Sequence, residues 1–178
     1  MVQAAEDAGA CPEGLAWLRA KPRTIDDLRD ERPKDLSWAL ELVNLPALLT
    51  QIAATTTHNY DLEDIAHNEH AGADTLALCA QRGNGTVMLA VAKHPATTPE
   101  TIEYIVETSE GKYWVLDVVA YRSDASAKAL EFCAKTTDTR VLSAVAQHPN
   151  TPRETLETIA AGMYVTPRRL AAERLDRV

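Results

Sequence analysis

Between residues 61 and 160 the apolar positions arrive in two alternating kinds of burst. The first has i, i+4, i+5 spacing, as in Val87, Val91 and Ala92 or Val141, Val145 and Ala146. The second has i, i+3, i+4 spacing, as in Ile102, Ile105 and Val106 or Leu156, Ile159 and Ala160. Both spacings put the apolar side chains on one face of a helix, so each pair of bursts predicts a short helix A followed by a short helix B. No run alternates Val, Ile or Thr with polar residues for long enough to predict a sheet.

The bursts repeat. "VMLAVAKHPATTPETIEYIV" (87–106) lies over "VLSAVAQHPNTPRETLETIA" (141–160) without a gap. Weaker copies occupy 61–80, with Leu62, Ile65, Ala66, Leu76 and Cys79 on the apolar slots, and 115–134, with Val115, Leu116, Val119, Ala120, Leu130 and Cys133. Four units therefore follow one another at steps of 26, 28 and 26 residues. Such self-similarity is the mark of a repeat architecture. Cys79 and Cys133 share a slot with Ile105 and Ile159, which makes them core fillers.

Between the bursts stand "HPATTPETI" (94–102) and "HPNTPRETL" (148–156). A proline disfavours helix in the residue before it, so helix A must end near His94 and His148. Thr151 and Glu154 have the spacing of a capping box with Pro152 at the first helical position, and Thr97 and Glu100 hold the same register. The histidines are placed to bond carbonyls at the end of helix A. The other copies carry Asn68 and Arg122 in the histidine slot and Asp74 and Lys128 in the glutamate slot, which points to structure rather than catalysis.

These phrases resemble the leucine-rich repeat variant family, bacterial repeats related in shape to HEAT and armadillo proteins. The resemblance covers the four units. It implies an all-α, right-handed solenoid of short helix pairs, with helix A a 3₁₀-helix or, as in HEAT repeats, an α-helix. It implies no common catalytic activity, and this chain lacks the cysteine cluster of the iron–sulfur relatives.

Outside the repeats, residues 1–45 predict an N-terminal helical cap. Its three short helices (11–20, 24–31 and 34–43) include Trp17, Leu18, Trp38, Leu40 and Leu42, with Thr24 and Asp27 as a cap and Pro33 as a helix start. Residues 46–58 read as a degenerate unit that opens an array running to 163. Residues 164–178 read as a capping helix started by Thr166 and Pro167, with Leu170 and Leu175 covering the last repeat and arginines facing water.

Composition agrees with a folded helical protein: 46% of the 178 residues are apolar, Ala and Leu abound, and there is one Phe. The net charge of -8 comes entirely from residues 1–74, and no Lys or Arg lies between Lys34 and Arg82. That balance disfavours nucleic acid and favours a partner protein with basic character. Three dispersed cysteines and an acidic start without an apolar core segment predict a cytoplasmic protein without a signal peptide. No stretch is apolar enough to span a bilayer.

Two groups are candidate sites. Tyr113, Trp114 and Tyr121 stand in slots occupied elsewhere by Gly85 and Thr139, by Thr86 and Arg140, and by Lys93 and Gln147. With Arg122 they have the composition of a protein-binding hot spot. The segment "HNEH" (67–70) supplies His67 and His70, with Asp64 one turn earlier, and His58, Asp61, Glu63 and Asp74 nearby. Imidazole with carboxylate suits a transition metal, although His67 holds a polar slot and His70 lies in the hinge. No P-loop, GxSxG, GxGxxG or HExxH occurs, and no cofactor is implied. The reading is a non-catalytic scaffold for another protein. The alternatives are a nucleic-acid binder using Arg153, Arg168, Arg169, Arg174 and Arg177, or a metal-binding protein or metal-dependent enzyme centred on residues 58–74.

Overall fold

A computed structural model describes residues 46–109 and 112–177, together with Glu6, Pro12, Ala16, Arg19 and Asp27. The expected N-terminal cap, including Trp17, Leu18, Thr24, Pro33, Trp38, Leu40 and Leu42, lies outside the described residues. The chain divides into two compact units, Met1–Ala96 and Thr97–Val178. Among the described residues all regular structure is helical.

The first unit contains α1 (Pro46–Thr55), α2 (Asn59–His67), α3 (Ala73–Arg82) and α4 (Gly85–Lys93). Consecutive helices pack together, and in addition α1 packs on α3 and α2 on α4. Polar links span 25 or 26 residues, the length of one repeat. The Thr50 and Thr75 hydroxyls lie 2.7 Å apart, and Arg82 donates to the Thr56 carbonyl at 2.8 Å. The turn from α3 into α4 requires Gly83, where a Cβ would stand 2.4 Å from the Val87 side chain and 2.7 Å from the Cys79 carbonyl.

The second unit contains α5 (Pro99–Thr108), α6 (Tyr113–Ala120), α7 (Ala127–Cys133), α8 (Thr139–Gln147), α9 (Arg153–Ala160) and α10 (Val165–Leu175). Here α5 packs on α7, α6 on α8, and α8 on α10. Helix A is an α-helix in all four copies.

The predicted apolar slots form the core. Val87, Val91, Val115, Val119, Val141 and Val145 are fully buried, as are Leu76, Ile105, Leu130, Cys79 and Cys133. Each such aliphatic side chain contributes roughly 1.5–3 kcal/mol by leaving water. Ala90, Ala92, Ala144 and Ala146 are buried beside the valines and keep the helix surfaces low.

Helix starts differ from the capping-box expectation by one residue. Thr98, not Thr97, caps α5: its hydroxyl accepts from the Thr101 amide at 3.3 Å, with Pro99 inside the first turn. Ser126 does the same for α7 from the Ala129 amide at 3.1 Å. The equivalent residue of the last copy is Pro152, which has no side-chain oxygen, so α9 has no side-chain cap. Thr151 is buried and its hydroxyl donates back to the Val145 carbonyl, closing the end of α8 instead of opening α9. Neither Glu154 nor Glu100 completes a capping box, because the residue three positions earlier is not the cap.

The last helix also departs from expectation. It begins at Val165, and its buried residues are Pro167 and Ala171, while Leu170 and Leu175 are only half buried. Pro167 and Ala171 lie 26 residues after Val141 and Val145. Helix α10 thus keeps the register of a further helix A. Arg174, 26 residues after His148, does not face water but donates to the carbonyls of His148 and Pro149.

Candidate functional site

The repeated histidines are engaged within the fold. His94 is buried, its Nε2 lies 3.0 Å from the Asn68 carbonyl, and its Nδ1 accepts from the Ala96 amide at 3.1 Å. His148 repeats this with the Arg122 carbonyl at 2.8 Å and the Asn150 amide at 3.1 Å. A backbone N–H can only donate, so Nδ1 carries no proton and Nε2–H is the donor. Each imidazole therefore clasps its own turn and reaches back 26 residues to the equivalent turn of the preceding copy. Asn68 makes the same local bond, its Oδ1 accepting from the His70 amide at 2.8 Å. With both ring nitrogens in use, neither histidine is free to move a proton for a substrate.

The His/acid group does not converge. His67 is exposed near the end of α2, and His70 lies in the turn beyond it, 3.6 Å from the Glu69 carboxylate. Asp61 is buried and accepts from the Thr56 hydroxyl at 2.6 Å. Among the described residues, no three His, Cys, Asp or Glu side chains, Asp64 included, come together in a way that could hold a metal ion. Burial pushes the Cys79 and Cys133 thiols up to about 12, far from the range of a reactive thiolate.

The aromatic group occupies the surface of α6. Trp114 is 51% exposed, Tyr113 42% and Tyr121 69%. None of the three is folded back into the core. Arg122 differs from them in exposure: its guanidinium makes a bidentate pair with Asp124, at 2.8 and 2.7 Å, and its side chain is only 11% exposed. Those bonds hold the Asp124 carboxyl below the usual carboxylate range. Asp117 lies on α6 between Trp114 and the C-cap residue Tyr121, and its Oδ1 is buried without a hydrogen-bond partner.

A cleft of about 380 Å³ opens beside Tyr121, and its other walls come from the start of α8 (Thr139, Arg140 and Ser143) and the start of α10 (Tyr164 to Pro167). No single-helix pattern marks it in the sequence, because its walls come from three successive segments of the chain. The charges of the second unit are unevenly placed. Helices α5, α7 and α9 carry Glu100, Glu103, Glu107, Glu131, Glu154 and Glu157 against Lys128 and Arg153. Helices α6, α8 and α10 carry Arg140, Arg168, Arg169 and Arg174 against Asp117 and Glu173. The aromatic side chains thus lie on the helices with the more basic balance. Lys128 bridges Glu103 and Glu107 at 3.0 and 2.9 Å, and these bonds, Glu107 first, raise its ammonium above the ordinary lysine value.

Among the described residues no helix is long and apolar enough to cross a membrane. No family model matches the chain, and no curated protein or solved structure is similar to it at a significant level.

Proposed function

We propose that this chain is a non-catalytic scaffold that binds another protein through the outer surfaces of its A helices. In this reading the helix pairs continue as a right-handed solenoid of the leucine-rich repeat variant or HEAT kind, working in the cytoplasm. Stacked units of that kind give a rigid surface along which side chains are displayed at fixed spacing. The acidic stretch 35–81 would favour basic segments of the partner on the first unit.

The observation that carries the reading is the exposure of Trp114 and Tyr121. Their slots are polar in most copies, so packing does not demand an aromatic there. A half-exposed Trp beside two exposed tyrosines is unfavourable in water and typical of a buried anchor at a protein interface.

The test is affinity capture from native host extract with the wild-type chain and with the Trp114→Ala/Tyr121→Ala variant. The expected result is one or more proteins lost at least about tenfold in the variant, whose melting temperature stays near that of the wild type. Identical captured proteins in both samples would refute the reading. So would a variant that unfolds, since core truncation would then explain the aromatics.

A further inference from the structure

We propose that the cleft between α6, α8 and α10 is the docking site for an acidic segment of the partner protein, with a partner carboxylate held by Arg140. This rests on the protein-binding reading above and gives that surface its sign.

The cleft is large enough for one or two side chains of a peptide. Its lining holds no carboxylate. Tyr121, Ser143, Tyr164 and Thr166 supply hydroxyls, and Arg140 supplies the only formal charge. The Arg140 side chain is 68% exposed, and its nearest acid, Asp138, stands 3.7 Å away. Asp138 is already engaged, because its Oδ1 accepts from the amides of Arg140 and Val141 as the cap of α8. The guanidinium therefore keeps donors for an incoming carboxylate, which it can bind in a forked geometry.

The start of α10 strengthens the same preference. Tyr164 stands at its N-cap without a side-chain cap bond, although Pro167 removes one amide donor from the first turn. The positive end of an uncapped helix thus opens at the cleft wall, where negative charge is favoured. Val165 in the cleft wall is 70% exposed, and Met163, two residues before it, is 80% exposed. An acidic residue next to an apolar one would fill the charged and the greasy parts together.

An acidic protein segment fits better than a nucleic acid, the other polyanion. One arginine in the cleft matches one carboxylate, whereas phosphate backbones need several cations and meet a chain of net charge -8. The neighbouring Arg169 is engaged with Glu173.

The experiment pans a phage-displayed library of random short peptides on the full chain and measures the selected peptides by fluorescence anisotropy. Expected are peptides with Asp or Glu beside an apolar residue. Arg140→Glu should weaken them at least about tenfold, and Tyr121→Ala should weaken them as well. Replacing the peptide acid by its amide should matter much less once Arg140→Gln is present, since both changes remove one contact. Arg140→Gln, melted alongside, shows whether charge or folding is responsible for a loss. A basic consensus, peptides indifferent to Arg140→Glu, an unenriched library, or displacement of the peptides by oligothymidylate would each overturn the proposal. None of these results would remove partners lost on Trp114→Ala/Tyr121→Ala, so the broader reading stands or falls separately.

Discussion

Truncating His148 to alanine separates a structural histidine from a catalytic one. The imidazole makes two hydrogen bonds, from Nε2 to the Arg122 carbonyl and from the Asn150 amide to Nδ1, and the residue is only 7% exposed. A typical intramolecular hydrogen bond contributes about 1 kcal/mol net, so the pair accounts for about 2 kcal/mol. The Arg122 carbonyl keeps the Ala125 amide as a second donor, and Asn150 is exposed. No large penalty for an orphaned polar group is therefore added. Loss of the ring leaves a cavity between turns that costs about 1 kcal/mol more. His148→Ala should destabilise the second unit by about 3 kcal/mol in total.

His148→Asn gives the internal control. Asn68, in the same slot of the first unit, makes the local acceptor bond to the His70 amide. The Asn variant should recover about 1 kcal/mol of the loss. Urea unfolding followed by far-UV circular dichroism should show the alanine midpoint lowered by more than about 1 M, with the asparagine variant in between. His94→Ala, acting on the equivalent bonds of the first unit, should behave alike. An alanine variant within about 0.5 kcal/mol of wild type, or an asparagine variant no better than alanine, would refute the clasp.

Three further outcomes are expected. Asp117→Leu, which copies Leu89 at the equivalent position, removes a carboxylate whose Oδ1 is buried without a partner and should stabilise by about 1 kcal/mol in the same melts. Thr98→Ala and Ser126→Ala should each cost about 1 kcal/mol, whereas Glu100→Ala and Glu154→Ala should change little, as neither completes a capping box. The Asp124 carboxyl should titrate below an ordinary aspartate by NMR and return upward in Arg122→Met; because its folded value is depressed, the stability it brings is present above the unfolded aspartate value and is lost as pH falls through the folded one.

The core was legible in the sequence because burial repeats with helical spacing. Val87, Val141 and Val115 fall on one slot, Leu76 and Leu130 on another, and all are buried. The cysteines followed for the same reason. Reach between copies was not legible, since a 26-residue hydrogen bond depends on how turns stack and not on any local pattern. The cap was misplaced because "ATTPE" offers two adjacent threonines, and Pro99 in the first turn selects the second. The register of α10 could have been found by shifting the fourth copy forward 26 residues. There Ala171 and Ala172 fall under Val145 and Ala146, but the bulky valines have become Pro167 and Ala171 and the apolar signal fades. The cleft brings together residues from Tyr121 to Pro167, and nothing in any one helix announces it.

One physical criterion sorts the residues that break the repeat. His94, Arg122, His148 and Arg174 share one slot, and each directs its polar atoms to other groups of the fold. Their identity is accounted for by stability, and replacing them should change melting before it changes binding. Trp114, Tyr121 and Arg140 differ in that their side chains stand largely in solvent, and Tyr60, Thr86 and Thr166, in the slot of Trp114 and Arg140, are exposed as well. A slot that tolerates Tyr, Thr, Trp and Arg places no packing demand on its occupant. On the proposed reading Trp114 and Arg140 serve a partner, and substitutions there should change binding while leaving the melting curve in place.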